Sequence, residues 1–95
     1  LKKELYICMK DLIGKKVIKR IELNVNENCK IFGKILSEKK YKTGNKSVTL
    51  EVEGNILNAT ENSVEIYQNK STEMGIDSYG WFEKNKFERT FKVVE

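Results

Sequence analysis

Histidine and proline are absent from this chain, which has only two cysteines, two arginines and no long apolar run. Without histidine the commonest general base is missing, and Ser-His or Cys-His nucleophilic arrangements are ruled out. No glycine-rich phosphate cradle occurs, and the acids Glu51, Glu53, Glu61 and Glu65 fall on outward strand positions that solubility explains. The chain is therefore expected to be no enzyme and to hold no cofactor. Cys8 and Cys29 are too few for a disulfide framework and lack the partners for a tetrahedral zinc site, so no metal is expected. They read as two small buried apolar side chains in a reducing, cytoplasmic setting, with a Cys8–Cys29 bridge left open. No stretch approaches the roughly 20 apolar residues of a membrane-spanning helix, and the start does not read as a secretory signal. A soluble protein with no membrane partner is the expectation.

What is present is lysine, unevenly placed. Residues 1–50 hold thirteen Lys/Arg against five Asp/Glu, a net +8, whereas residues 51–95 hold five against nine, a net −4; together these make the overall +4. Sixteen of the eighteen basic residues are lysine. Abundant lysine, isoleucine and asparagine without proline is what A/T-rich codons produce, so the amount of lysine is weak evidence for nucleic acid. Arginine, the better bidentate reader of phosphates and guanine edges, is scarce. Codon usage does not explain why the excess sits in one half.

Ninety-five residues predict one domain, 1–95, around one core. In LKKELYICMKDLI, residues 1–13, Leu5, Cys8, Met9 and Leu12 form one helical stripe, and Gly14 is a natural stop. So short a helix is stable only where its stripe covers something, here one open end of a sheet or barrel. From Lys15 the period becomes two: Val17, Lys19, Ile21, Leu23 and Val25 share a face, and Asn26-Glu27-Asn28 turns the chain. CKIFGKILSEKKYK is a long strand bent or bulged at Gly33. Thr43-Gly44-Asn45 turns, SVTLEVE alternates, and Gly54-Asn55 reads as a two-residue hairpin turn before the short strand Ile56–Ala59. Thr60 to Ser63 is a further turn, residues 64–67 a strand, and residues 69–77 the longest loop. A final hairpin joins SYGWFE to KFERTFKVVE at Lys84-Asn85.

The sum is a mostly β fold: a small antiparallel barrel or sandwich of six or seven strands with one N-terminal helix. A leading helix, a glycine and then strongly bent strands resemble in outline the SH3-like and Sm-like small barrels over residues 1–70. GNILNATENSVEI, residues 54–66, has the glycine, turn and strand spacing of an Sm segment without its aspartate or its asparagine-containing signature. No family residue and no RNA-binding role is carried over from that likeness.

Two stretches could meet a partner. In SEKKYKTGNKS, residues 37–47, a hairpin tip would crowd Lys39, Lys40, Lys42 and Lys46 around Tyr41. Lysines attract phosphate and a ring can stack a base, at about 1–3 kcal/mol per base; lysines also guard exposed strand edges against pairing. Lys15, Lys16, Lys19, Arg20, Lys30 and Lys34 would extend the same field. In the last hairpin, a tight turn at Lys84-Asn85 pairs Phe82 with Phe87 and points Tyr79 and Trp81 the other way, toward Glu88, Thr90 and Lys92. Trp and Tyr on a polar face are typical of binding hot spots. The reading is a small binding module that engages a protein or nucleoprotein through Tyr79 and Trp81. It suits an accessory or inhibitory protein of an A/T-rich bacterium or its mobile elements. Two alternatives stand beside it: a nucleic-acid binder using Lys39, Lys40, Tyr41, Lys42 and Lys46, or a binder of a small anion such as a nucleotide in a basic pocket at a homo-oligomer interface.

Overall fold

Where two-residue alternation is longest, one antiparallel ladder forms. In the computed structural model, which describes residues 9–75 and 77–94, β1 (Lys16–Asn26) pairs along its whole length with β3 (Asn45–Ala59), from Lys16↔Asn55 to Asn26↔Asn45. Fifteen residues at about 3.3 Å each give roughly 50 Å, and the molecule is 50 Å in its longest dimension. Its radius of gyration, 15.5 Å, exceeds the roughly 12 Å of a compact domain this long. β3 is therefore the spine. Its second edge is shared, in order, by β2 (Lys34–Lys40) and β4 (Ser63–Gln68). The path runs β5-β4-β3-β1-β6, with β5 (Ser78–Glu83) and β6 (Lys92–Val94) at its two ends. The protein is thus mostly β, one sheet of six antiparallel strands that does not close on itself. Among the described residues, no helix is long and apolar enough to cross a membrane.

Three expectations change. Gly54-Asn55 is not a turn, because β3 runs straight through it. Gly54 is used for close approach instead: a Cβ there would lie 2.6 Å from the Tyr67 carbonyl oxygen of β4. The last hairpin does not form either, since residues Lys84–Thr90 make a helix, α1, and β6 pairs with β1 rather than β5. Phe87 and Phe91, four apart, suit a helix end, while Phe91 and Val93, two apart, suit a strand; the chain uses both periods in turn. The N-terminal stripe is described only from Met9, where Met9–Leu12 form a 3-10 turn, and residues 1–8, with Cys8, lie outside the described part. Lastly, the bend at Gly33 takes the chain out of the sheet altogether, so that β2 starts only at Lys34.

The apolar side chains gather in two clusters rather than one. The larger holds Met9, Val17, Ile56, Val64, Ile66, Phe87 and Phe91, with Leu12 and Phe82 packed on it. Phe82 meets Phe91 edge to face at 5.1 Å, and Phe87 lies near-parallel to Phe91 at 5.9 Å; such pairs contribute about 0.5–1.5 kcal/mol each beyond area burial. This packing makes the seven-residue α1 stable, because its N-cap Glu83 makes no side-chain hydrogen bond. The smaller cluster is Val48, Leu50 and Val52, flanked by Ile21, Leu23 and Ile31. Ile31 reaches it because residues 30–32 leave the sheet before Gly33 (φ +103°) and bridge residues 71–73, through Ile31↔Thr72 and a 2.9 Å bond from the Phe32 N–H to the Ser71 carbonyl.

Candidate functional site

Strand alternation sorts the exposed aromatics. On β4, Val64 and Ile66 point into the larger cluster, so Glu65 and Tyr67 take the opposite face. The register pairs Glu65 with Trp81 and Tyr67 with Tyr79, which puts all four side chains on that outer face. Trp81 is 49% exposed and Tyr79 64%, while Phe82 between them and α1 packs inward. The expected separation of Tyr79/Trp81 from Phe82 is therefore observed, with different neighbours: Glu65 and Tyr67 of β4, not Glu88, Thr90 and Lys92. Leu57, 48% exposed, sits in the bulge that offsets β3 from β4 between Ile56 and Asn58. β5 pairs only with β4 and leaves its other edge without a partner among the described residues.

A carboxylate acts on each phenol of this face. The Tyr67 hydroxyl donates to Asp77 Oδ2, and that bond, then partial desolvation and the Asp77 charge, raise the Tyr67 phenol above its ordinary value. Hydrogen bonding to Glu65, then its charge and slight desolvation, raise Tyr79 likewise. Both shifts favour the neutral phenol. Tyr67 also lines a groove of about 630 Å³, which opens where β2 and β4 part company along β3. Phe32 and Lys34 form one side, Tyr67 and Asp77 the other, and Ile18 with Glu51 the floor. Lys70 lies over the Phe32 ring at 5.6 Å. Tyr67 was legible as an outward strand position; Asp77 and Phe32 sit in loops whose placement no local period encodes.

The lysine hairpin forms as read, with Lys39↔Ser47 and Lys40↔Lys46 paired and the Tyr41 N–H bonded to the Asn45 carbonyl at 2.9 Å. Two of its four lysines are engaged. Lys46 Nζ lies 3.4 Å from Glu38 Oε1, with the Lys46 side chain only 12% exposed. Lys39 Nζ stands 5.4 Å from the Tyr41 ring centroid, on a face a base would need. Four of the other basic residues lie far from the tip, on opposite faces or across from an acid. Lys16 pairs with Asn55 at the far end of β1, ten residues and roughly 33 Å from the tip, where Lys16 Nζ meets Glu53 at 3.5 Å. Lys19 and Arg20, adjacent on a strand, point to opposite faces, and Lys34 sits across from Glu51.

Among the described residues, no group of three or more His, Cys, Asp or Glu is placed to hold a metal ion. Cys29 is partly buried and unbridged among the described residues, and a Cys8–Cys29 bridge lies outside them. No protein-family model matches the chain, and neither a curated protein nor a solved structure matches it.

Proposed function

We propose that the protein is a small non-enzymatic binding module that takes an extended, basic segment of a partner protein along β5. One observation carries this reading: Tyr79 and Trp81 stand 64% and 49% exposed on a strand whose outer edge is open among the described residues. Such an edge offers a row of N–H and C=O groups to an added strand, and rings on alternate residues provide side-chain contacts. Edge chemistry distinguishes β5 from β2. The outer strand β2 carries Lys34, Lys39 and Lys40, the usual guard against strand addition, whereas SYGWFE carries no lysine. The sign of the partner follows from Glu65 and Asp77 on the same face and from the −4 net charge of residues 51–95. A lysine or arginine meeting Trp81 there gains both a ring face and a carboxylate.

In this proposal the sheet is an open small barrel in outline, with α1 passing between its end strands β5 and β6 over the phenylalanine cluster, and the module serves as an accessory or inhibitory protein. The single tryptophan makes the test direct. Eight-residue peptides alternating Lys with Val are titrated against Trp81 emission, beside peptides alternating Glu with Val. The basic series is expected to shift the emission, to protect β5 amides from hydrogen exchange, and to lose affinity in Trp81→Ala and Tyr79→Ala. Binding that is unchanged in both variants, or that is stronger for the acidic series, removes the proposal. The nucleic-acid reading has its own signature: four phosphate contacts on a single strand give a log-log salt slope near −2.8.

A further inference from the structure

We infer that a phosphate oxyanion binds in the shallow groove where β1, α1 and β6 meet. The chain has two arginines among eighteen basic residues, and both, Arg20 and Arg89, line this one groove together with Lys92. They arrive from three elements. Arg20 projects from β1, Lys92 is brought alongside by the pairing Ile18↔Lys92, and Arg89 stands in the last turn of α1. The frame is firm because the next aromatic, Phe91, is buried against Phe82 and Phe87 and its N–H closes α1 on the Phe87 carbonyl at 2.9 Å. Thr90, partly buried, adds a hydroxyl donor to the lining.

Guanidinium forks match phosphate oxygens in pairs, which lysine does not. Neither arginine is in an ion pair among the described residues. Two features oppose an anion: Glu51, directly across from Arg20 on β3, and the carbonyl end of α1. Three cations against one carboxylate leave the lining at +2, which suits a phosphate group carrying about −1.5 to −2. At about 220 Å³ the groove is smaller than the roughly 300–1,000 Å³ of sites that enclose drug-sized ligands. It therefore holds a phosphate or pyrophosphate group and leaves the rest of any larger molecule outside. This site is independent of the β5 edge.

The test titrates the full chain with inorganic pyrophosphate, inorganic phosphate and adenosine monophosphate at constant ionic strength, following backbone amides by NMR. Saturable shifts are expected at Arg20, Thr90 and Lys92, and a tenfold or greater loss of affinity in Arg20→Ala/Arg89→Ala. Both arginines are exposed, so these variants should keep the parent circular dichroism spectrum. Arg20→Lys/Arg89→Lys keeps the charge and is still expected to bind more weakly, because the paired contacts are lost. Glu51→Gln should tighten binding. Comparison of the monophosphate nucleotide with free phosphate separates a ligand-borne group from the free ion, since equal affinity means that only the phosphate is read. Undiminished binding in the double alanine variant, or shifts that do not saturate and centre on Lys40 and Lys42, would falsify the assignment.

Discussion

Gly54→Ala is the most revealing single substitution in the fold. On backbone entropy alone, replacing a glycine inside a strand stabilises by about 0.5–1 kcal/mol, and Gly54 has no positive φ to argue otherwise. The structure places the new methyl 2.6 Å from the Tyr67 carbonyl oxygen and 3.3 Å from the Gln68 Cα. Both neighbours are backbone held in the β3–β4 ladder, where Asn69 N–H bonds the Glu53 carbonyl at 2.8 Å, so neither can swing aside. Forcing atoms into a filled site costs about 1–3 kcal/mol. The net runs from about 0 to 2.5 kcal/mol of loss, centred near 1.2 kcal/mol, or roughly 5–10 °C in Tm for a domain of this size. Gly80→Ala is the control: Gly80 sits on the neighbouring strand β5 with nothing within 4 Å of the added methyl, and should be neutral or stabilising. Urea titration followed by Trp81 emission, with m unchanged, reads both. Gly54→Ala exceeding the parent in stability would refute the reasoning and restore Gly54-Asn55 as a yielding turn.

Trp81→Ala should weaken partner binding by about 2 kcal/mol or more, close to thirty-fold, with an unchanged far-ultraviolet spectrum, since Trp81 is half exposed and lies outside both apolar clusters. Tyr67 and Tyr79 should titrate late. Their raised phenols favour the neutral form in the folded state, so the stability they add is fully present below about pH 10 and fades as pH rises through the folded values. Ultraviolet difference titration of Tyr67→Phe and Tyr79→Phe checks this, each variant losing one of the two late phenols; a late phase of undiminished amplitude in either variant contradicts it. Replacing Lys39, Lys40, Lys42 and Lys46 together by alanine should leave peptide binding at β5 intact. It should also lower the urea midpoint slightly, because the Lys46–Glu38 pair, with its lysine largely buried, is lost.

β1, the Asn26–Asn28 turn and the β2–β3 hairpin could be read without coordinates, because alternation and turn chemistry act between residues close in the chain. The strands 64–67 and 78–83 were legible for the same reason, and so was the outward placing of Tyr79 and Trp81. Gly54 was misread because a glycine that ends a strand and a glycine that lets another strand cross look alike until the crossing strand is present. Residues 84–90 were misread because Phe87, Phe91 and Val93 fit a strand or a helix equally well. Only the larger cluster, which buries Phe87 and Phe91 stacked together, selects the helix.

The candidate sites divide along the same line. Local pattern placed Lys39, Lys40, Tyr41, Lys42 and Lys46 on one hairpin tip, yet not the Glu38 carboxylate on Lys46 or the Lys39 amine over Tyr41. It put Tyr79 beside Trp81 without supplying Glu65 and Asp77. The meeting of Arg20 and Arg89, sixty-nine positions apart, lies wholly outside it. Sequence determines what each short stretch can become, since backbone preference and side-chain period are properties of neighbours along the chain. Which stretches lie against one another, and hence which charges and rings share a surface, is decided when burial of the two apolar clusters draws distant strands together.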